Sequence, residues 1–141
     1  MSCLKASQEA KKRRLSIALE LISYPDILIL DEPTTGLDSY SALKIVEVLK
    51  NLTQQGICVI ATIHQPSSQI WEMLDRTLLL SAGRIIYEGL PDGAEDFFAS
   101  FGKKLPDSYN PADFFMQNIN ADFDESIDIE KIANLWIKYN Q

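Results

Sequence analysis

The chain has 141 residues with a formal net charge of −7, and 46% of its residues are hydrophobic. This length and apolar content suit one domain with a core. The negative charge argues against a general nucleic-acid binder, whose affinity comes mainly from Lys and Arg at phosphates. We find no signal-peptide pattern and no apolar run near the ~20 residues that span a bilayer. Two cysteines without a disulfide framework fit a reducing cytosol.

The first half of the chain predicts alternating helices and strands. A helix over 10–23 is expected to bury one stripe, and the aliphatic run 27–31 is typical of a strand buried on both faces. A second helix starts near Ser39, with Asp38 or Ser39 as its N-cap, and stops at Gly56 before a buried strand over 57–63. The residues expected to face the core are Leu15, Ala18, Leu19 and Ile22 in the first helix, and Leu43, Val46, Leu49 and Leu52 in the second.

The second half of the chain predicts three short helices, a hairpin, an acidic stretch and a final amphipathic segment. The hairpin pairs 77–80 with 84–88 through the turn at Ser81-Ala82-Gly83. The acidic stretch 122–125 reads as a linker, and residues 129–139 form an amphipathic segment. The other helices are predicted over 67–74, 94–101 and 111–116. Together these elements predict the α/β class.

Two adjacent acids, Asp31 and Glu32, follow the strand of residues 27–30 within the sequence ILILDEPTTGLD. Ligands of open α/β sheets bind at the carboxyl ends of strands. One acid there can hold Mg²⁺ through its hydrated shell, because that ion takes only one or two carboxylates. The other acid can orient or deprotonate a water directed at a phosphate.

This stretch resembles the Walker B segment and D-loop of ABC (ATP-binding-cassette) ATPases. The helix just upstream and His64, which lies 32 residues after Glu32 at the end of an apolar run, support the resemblance. Two further sequence segments are similar to the corresponding segments of the G subfamily of ABC transporters, the white/pigment-precursor and multidrug half-transporters. They are His64-Gln65-Pro66-Ser67-Ser68-Gln69-Ile70 and Asn110-Pro111-Ala112-Asp113-Phe114-Phe115.

The resemblance implies a role for each of four residues. Asp31 would hold Mg²⁺ through water, Glu32 would polarise the attacking water, and His64 would contact the γ-phosphate of ATP. Asp38 would belong to the D-loop at the interface of two nucleotide-binding domains, a role compatible with capping a helix. The implied cofactors are ATP and Mg²⁺.

The resemblance also implies an incomplete fold: a partial P-loop NTPase domain with a mostly parallel sheet, flanking helices and no P-loop strand. No G-x-x-x-x-G-K-[ST] sequence occurs in the chain. The signature region, Ala6 to Lys11, has Glu9 and Ala10 in place of two glycines. Residues 1–119 would be the C-terminal part of the nucleotide-binding domain. Residues 120–141 would be an acidic linker and a helix leading toward a membrane domain on missing or separate chain.

Three functions are compatible with these features. The leading one is half of the ATP-hydrolysing domain of a G-type ABC half-transporter, membrane-associated on the cytosolic face and paired with a second such domain. The alternative is a short non-catalytic protein that docks to intact subunits. A soluble ABC ATPase of chromosome maintenance or translation fits less well, since it should lack the G-subfamily segments. We expect the isolated chain to be marginally stable and inactive as an ATPase.

Three features of the sequence have more than one interpretation. The basic run Lys11-Lys12-Arg13-Arg14 reads as a solvated helix face, or as a surface that attracts phosphates or anionic lipid. Trp71 and Trp136 read as core and interface anchors rather than as platforms on which the adenine of a nucleotide stacks. The amphipathic segment 129–139 reads either as a connection to a membrane span or as a surface helix with one apolar face.

Overall fold

A computed structural model describes residues 2–120 and 127–140, with the side chains of residues 2–7 and 9 left out. Helices and strands alternate as predicted, and the α/β class is confirmed. The predicted linker at 122–125 and the side chain of Glu9 lie outside the described residues. The elements are α1 (Ser2–Leu21), β1 (Ile27–Leu30), α2 (Ser39–Gln54), β2 (Cys58–Ala61), α3 (Ser68–Met73), β3 (Thr77–Ser81), β4 (Arg84–Gly89), α4 (Pro91–Ser100), α5 (Pro111–Ile119) and α6 (Ile129–Tyr139).

The described strands form two small sheets in place of one mostly parallel sheet. β1 and β2 pair in parallel, and β3 and β4 pair antiparallel. The chain divides into two compact units, residues 1–73 and 74–141, and each sheet belongs to one of them. The sequence correctly located the strands but could not show how many sheets they form.

In the first unit, α1 and α2 cover one face of the β1–β2 sheet. The core comprises Ile17, Leu28, Ile45, Leu49 and Leu52. A second cluster, Ala42, Val46 and Ile70, packs α3 against α2. Asp38 is the N-cap of α2, and Gly56 takes a φ of 94° just after the helix, so both predicted ends of α2 are confirmed. Leu43 is only half-buried, while Val46, Leu49 and Leu52 are buried as predicted.

The predicted buried stripe of α1 is wrong. Leu15, Leu19 and Ile22 are exposed, and so is Ala18. Ile17, with 4% of its surface accessible, is the α1 residue in the core cluster of this unit, and Ala10 is buried as well. α1 carries apolar residues on two faces, and α2 and β1 cover only the face that contains Ile17.

The prediction that β1 and β2 are buried on both faces is also wrong for the described part of the chain. Leu28 is buried, but 74% of Ile29 is accessible. Ile27, Cys58 and Ile60 are exposed as well. The helices of this unit cover one face of the sheet and leave the other open, so alternate strand residues differ in burial.

The second unit is built around the hairpin of β3 and β4. Leu79, Ile86 and Tyr87 are buried, and α4 and α6 contact β4. The ring of Tyr87 lies 4.8 Å from that of Trp136 and 6.0 Å from that of Phe97, so aromatic contacts link the three elements. Asn110 caps α5 by accepting a hydrogen bond from the Ala112 N–H. This unit therefore has its own core.

The final amphipathic segment forms α6, which packs on the second unit. Ile129, Ala133 and Trp136 are buried, and Arg84 of β4 pairs with Glu130 at 2.7 Å. α6 therefore has the one packed apolar face of the surface-helix interpretation, and its connection to a membrane span stays a prediction. Trp136 is thus a core anchor, as is Trp71 in the first unit.

Candidate functional site

Asp31 and Glu32 lie where β1 ends, beside the end of β2. The parallel register pairs Leu30 with Ala61, so Thr62 comes opposite the two acids. The Thr62 N–H donates to the Leu30 carbonyl at 3.0 Å. Its hydroxyl donates to Asp31 Oδ1 at 2.7 Å and accepts from the Glu32 N–H at 2.8 Å. One residue of the β2 end therefore holds three consecutive residues of the β1 end.

The backbone of Glu32 adopts a left-handed conformation with a φ of 43°. A residue other than glycine in this region costs about 1–3 kcal/mol, and such strain persists only when neighbouring contacts hold it. Glu32 has two such contacts besides Thr62. Thr35 Oγ1 donates to Glu32 Oε2 at 2.8 Å, and the Thr35 N–H donates to the Glu32 carbonyl at 3.2 Å. The carboxylate of Glu32 is therefore oriented by the turn that follows it.

Asp38 lies at the end of this turn and caps α2. Its carboxylate accepts from the Ser41 N–H and from the Ser41 hydroxyl, both at 2.9 Å. The bond from the Ser41 backbone, followed by the one from its hydroxyl, lowers the pKa of Asp38 below its ordinary value. The cap is thus observed, and the D-loop role of Asp38 stays a prediction.

His64 follows the end of β2, two residues beyond Thr62, and its side chain is exposed. Ile63 packs against the cluster of Ala42, Val46 and Ile70, and Pro66 is buried, so the loop is anchored on both sides of the histidine. Gln65 has a φ of 47°. The structure places His64 at the same end of the sheet as the two acids.

The acids fit a hydrated Mg²⁺ better than a direct metal cage. Among the described residues, no group of three or more His, Cys, Asp or Glu side chains could hold a metal ion. Asp31 is exposed, and a carboxylate has about four lone-pair sites, so the bond from Thr62 leaves acceptor capacity for a metal-bound water. Because Mg²⁺ keeps several waters and uses one or two carboxylates, this donor set fits that ion.

An open groove of about 430 Å³ lies between α1 and β1 and reaches Asp31. Arg13 of the basic run lines it, while Lys11, Lys12 and Arg14 are exposed. Most of the run therefore matches the predicted solvated face of a helix, and Arg13 is the residue of the run that lines this groove.

Thr62 and Thr35 were not among the residues that the sequence predicted for this site. Thr62 carried one signal: it is a hydroxyl residue directly after β2, where the parallel register sets it beside Asp31. Thr35 carried less, because its bond to Glu32 depends on the shape of the turn.

The chain is similar to cbiO1 from Clostridium perfringens, which is part of the ABC transporter complex cbiONQ. The TM-score is 0.56 and the sequences are 32% identical, over 60% of this chain and 34% of that one.

Comparison with family models and curated proteins gives the family. The chain belongs to the ABC-2 type transporter family, whose model matches residues 64–140. It is 47% identical to protein white of Drosophila melanogaster over 81% of this chain, and 48% identical to ABC transporter G family member 11 of Arabidopsis thaliana over 86% of this chain. Its homologues are thus white-like ABC transporters of the G subfamily. The chain spans 17% of the length of each of these two relatives. In the part of the chain that the structure describes, no helix has both the length and the apolar character needed to cross a bilayer.

Proposed function

We propose that residues 27–69 carry one part of the ATP-hydrolysing site of a G-type ABC transporter. The observation that carries the proposal is the pair Asp31 and Glu32 at the carboxyl end of a parallel strand, held by Thr62, which directly follows the neighbouring strand. The likeness to cbiO1 and the 47% identity to protein white support it.

Each residue of the pair has a separate task in this proposal. Asp31 holds a hydrated Mg²⁺ through its free acceptor capacity, and the ion supplies charge stabilisation at the phosphates. Glu32 orients a water and accepts its proton as the water attacks the γ-phosphate of ATP, which yields ADP and inorganic phosphate. His64 contacts the γ-phosphate and orients the same water. Asp38 reaches the interface with a second nucleotide-binding domain.

In this proposal the groups that bind the phosphates of ATP belong to a part of the transporter outside these 141 residues, since the sequence has no P-loop motif. A membrane domain and a second nucleotide-binding domain complete the transporter, which moves lipophilic, pigment- or sterol-like substrates across a membrane and has its nucleotide-binding part at the cytosolic face. The domain part would be residues 1–119, and residues 120–141 would lead toward the membrane domain.

The first experiment defines the native length of the polypeptide. An immunoblot of source cells with an antibody against residues 90–120 should show a membrane-associated band several times heavier than 15.9 kDa. A soluble band near that mass would instead favour the alternative, a short non-catalytic protein that docks to intact subunits.

The second experiment tests the chemistry in the protein expressed at that native length. Glu32→Gln keeps the size of the side chain but removes the base, so it should lower kcat by about 10²–10⁴-fold and trap bound nucleotide. Asp31→Asn should raise the Mg²⁺ concentration needed for nucleotide binding. An unchanged hydrolysis rate in the Glu32→Gln protein would refute the assignment.

The 141-residue chain alone should show no ATPase activity, which an ATPase assay of the purified chain checks.

A further inference from the structure

Thr62 is the residue through which the end of β2 acts on both acids. Its hydroxyl uses its donor on Asp31 Oδ1 and an acceptor lone pair on the Glu32 N–H, at 2.7 and 2.8 Å. A hydroxyl group can do both at once, whereas an aliphatic side chain of the same shape can do neither.

The two bonds act on different parts of the acids. The bond to Asp31 fixes the side chain that would hold a hydrated metal ion. The bond to Glu32 is to the backbone, and it helps to hold that residue at a φ of 43°, in a region that few residues other than glycine adopt. Loss of the bond would free the backbone to relax and would move the carboxylate of Glu32 with it.

The anchor itself is fixed by the sheet. The Thr62 N–H donates to the Leu30 carbonyl, which continues the parallel ladder that pairs Leu30 with Ala61. Ile63, the next residue, packs into the cluster of Ala42, Val46 and Ile70. Thr62 therefore lies on a rigid support, as a group that positions others must.

We infer that Thr62 is a positioning residue for ATP hydrolysis. Its hydroxyl holds the carboxylate of Asp31 and the backbone of Glu32 in the relative positions that the reaction requires. This inference rests on the proposed function, because it assigns Thr62 to the same reaction. Thr62 acts only through the two acids and makes no contact with substrate in this role.

The test compares three variants of the native-length protein in a steady-state ATPase assay. Thr62→Val removes the hydroxyl at nearly constant shape and should lower kcat by on the order of 10²-fold, with KM for ATP unchanged at saturating Mg²⁺, because a small misplacement of a catalytic group has an effect of that size. Thr62→Ser keeps the hydroxyl and should restore at least half of the wild-type rate. Thr53→Val is the matched control: Thr53 Oγ1 donates to the Lys50 carbonyl within α2, and this substitution should leave kcat unchanged.

A double-mutant comparison shows whether Thr62 acts through Glu32. Residues that act as a unit give non-additive losses. Thr62→Val should therefore lower the residual rate of a Glu32→Gln protein by much less than it lowers the wild-type rate.

Each outcome decides one of the two claims. Wild-type kcat in Thr62→Val, or equal losses in Thr62→Val and Thr62→Ser, would overturn the positioning role while a loss in Glu32→Gln leaves the proposed function standing. A raised KM with unchanged kcat would also overturn it, since it would assign Thr62 to nucleotide binding. No turnover by the native-length wild-type protein, or no loss in Glu32→Gln, would overturn the proposed function and this inference with it.

Discussion

Asp38 shows how one carboxylate can serve local structure while remaining available for a wider role. Both of its oxygens accept hydrogen bonds from Ser41, one from the backbone and one from the hydroxyl. The charged carboxylate also lies at the N-terminus of α2, where the helix dipole favours negative charge. These bonds favour the ionised form, so the pKa of Asp38 is lowered. The cap explains where α2 begins, whether or not Asp38 also reaches a partner domain.

The cap gives a prediction with a defined pH dependence. Asp38→Ala removes both acceptors and should lower the melting temperature of the first unit, whereas Asp38→Asn keeps one acceptor and should lower it less. Because the folded pKa of Asp38 lies below its ordinary value near 3.8, its charge-dependent stabilisation is fully present above that value and is lost as the pH falls through the folded pKa.

Thermal melts at pH 7 and pH 3, followed by far-UV circular dichroism, check this expectation. The difference in melting temperature between the wild-type chain and Asp38→Asn should be larger at pH 7 than at pH 3. A difference that grows on acidification would contradict the assigned cap.

Among the elements, α1 shows why the position of a helix is easier to predict than the direction of its faces. Apolar side chains recur at Leu15, Leu19 and Ile22, and also at Ile17 and Leu21. Both sets fit a helical period, so periodicity could not choose between them. Ile17 lies in the core of the first unit, and Leu21 packs against that core. The set with the longer apolar run is the exposed one.

Two alanine substitutions on α1 distinguish the faces. Ile17→Ala removes a side chain with 4% of its surface accessible and should lower the free energy of unfolding by about 2–5 kcal/mol. Leu19→Ala removes a side chain that is 58% accessible and should change it by about 0.5 kcal/mol or less. Urea unfolding followed by circular dichroism measures both. A larger loss for Leu19→Ala would mean that the predicted stripe, and not the described one, faces the core.

α6 illustrates the same limit at the other end of the chain. Its sequence is amphipathic, which suits both a membrane-directed segment and a helix on a protein surface. Contacts with β4 and the pairing of Arg84 with Glu130 put its apolar face on the second unit. The sequence could not show which element receives this apolar stripe, because the stripe suits either alternative, and the connection of α6 to a membrane span stays a prediction.

At the scale of the whole molecule, each unit leaves apolar sheet surface uncovered. In the first unit Ile29 and Ile60 are opposite each other on neighbouring strands, and both are exposed. In the second unit Leu78, Leu80 and Ile85 of the hairpin are exposed. Among the described strands, β1 pairs only with β2, so each keeps an unpaired edge. Exposed edges and contiguous apolar faces promote aggregation.

We therefore expect the purified 141-residue chain to aggregate. Size-exclusion chromatography with light scattering should show concentration-dependent oligomers, and the double variant Ile29→Lys with Ile60→Thr should shift the chain toward monomer. The variant keeps the buried face of β1 intact, because Leu28 points to the opposite side of the sheet. Ile45→Lys is the contrasting control: it places a charge at a fully buried position and should unfold the first unit. A wild-type chain that stays monomeric at high concentration would contradict the expectation.

The sequence by itself determined the α/β class, the order of the elements and the ends of α2, because caps, glycine turns and short apolar runs are local signals. It also located Asp31, Glu32 and His64 after two strands, since a strand end followed by polar residues can be recognised without knowing which elements pack on it.

The structure alone decided which face of α1 is buried, that β1 is covered on one side only, and that Thr62 links the two acids. Each of these depends on residues far apart in the chain: Thr62 meets Asp31 only because β1 and β2 pair in one particular parallel register. Local patterns state which faces are apolar and which side chains are polar, but the packing of one element on another selects the face that is buried and the groups that meet.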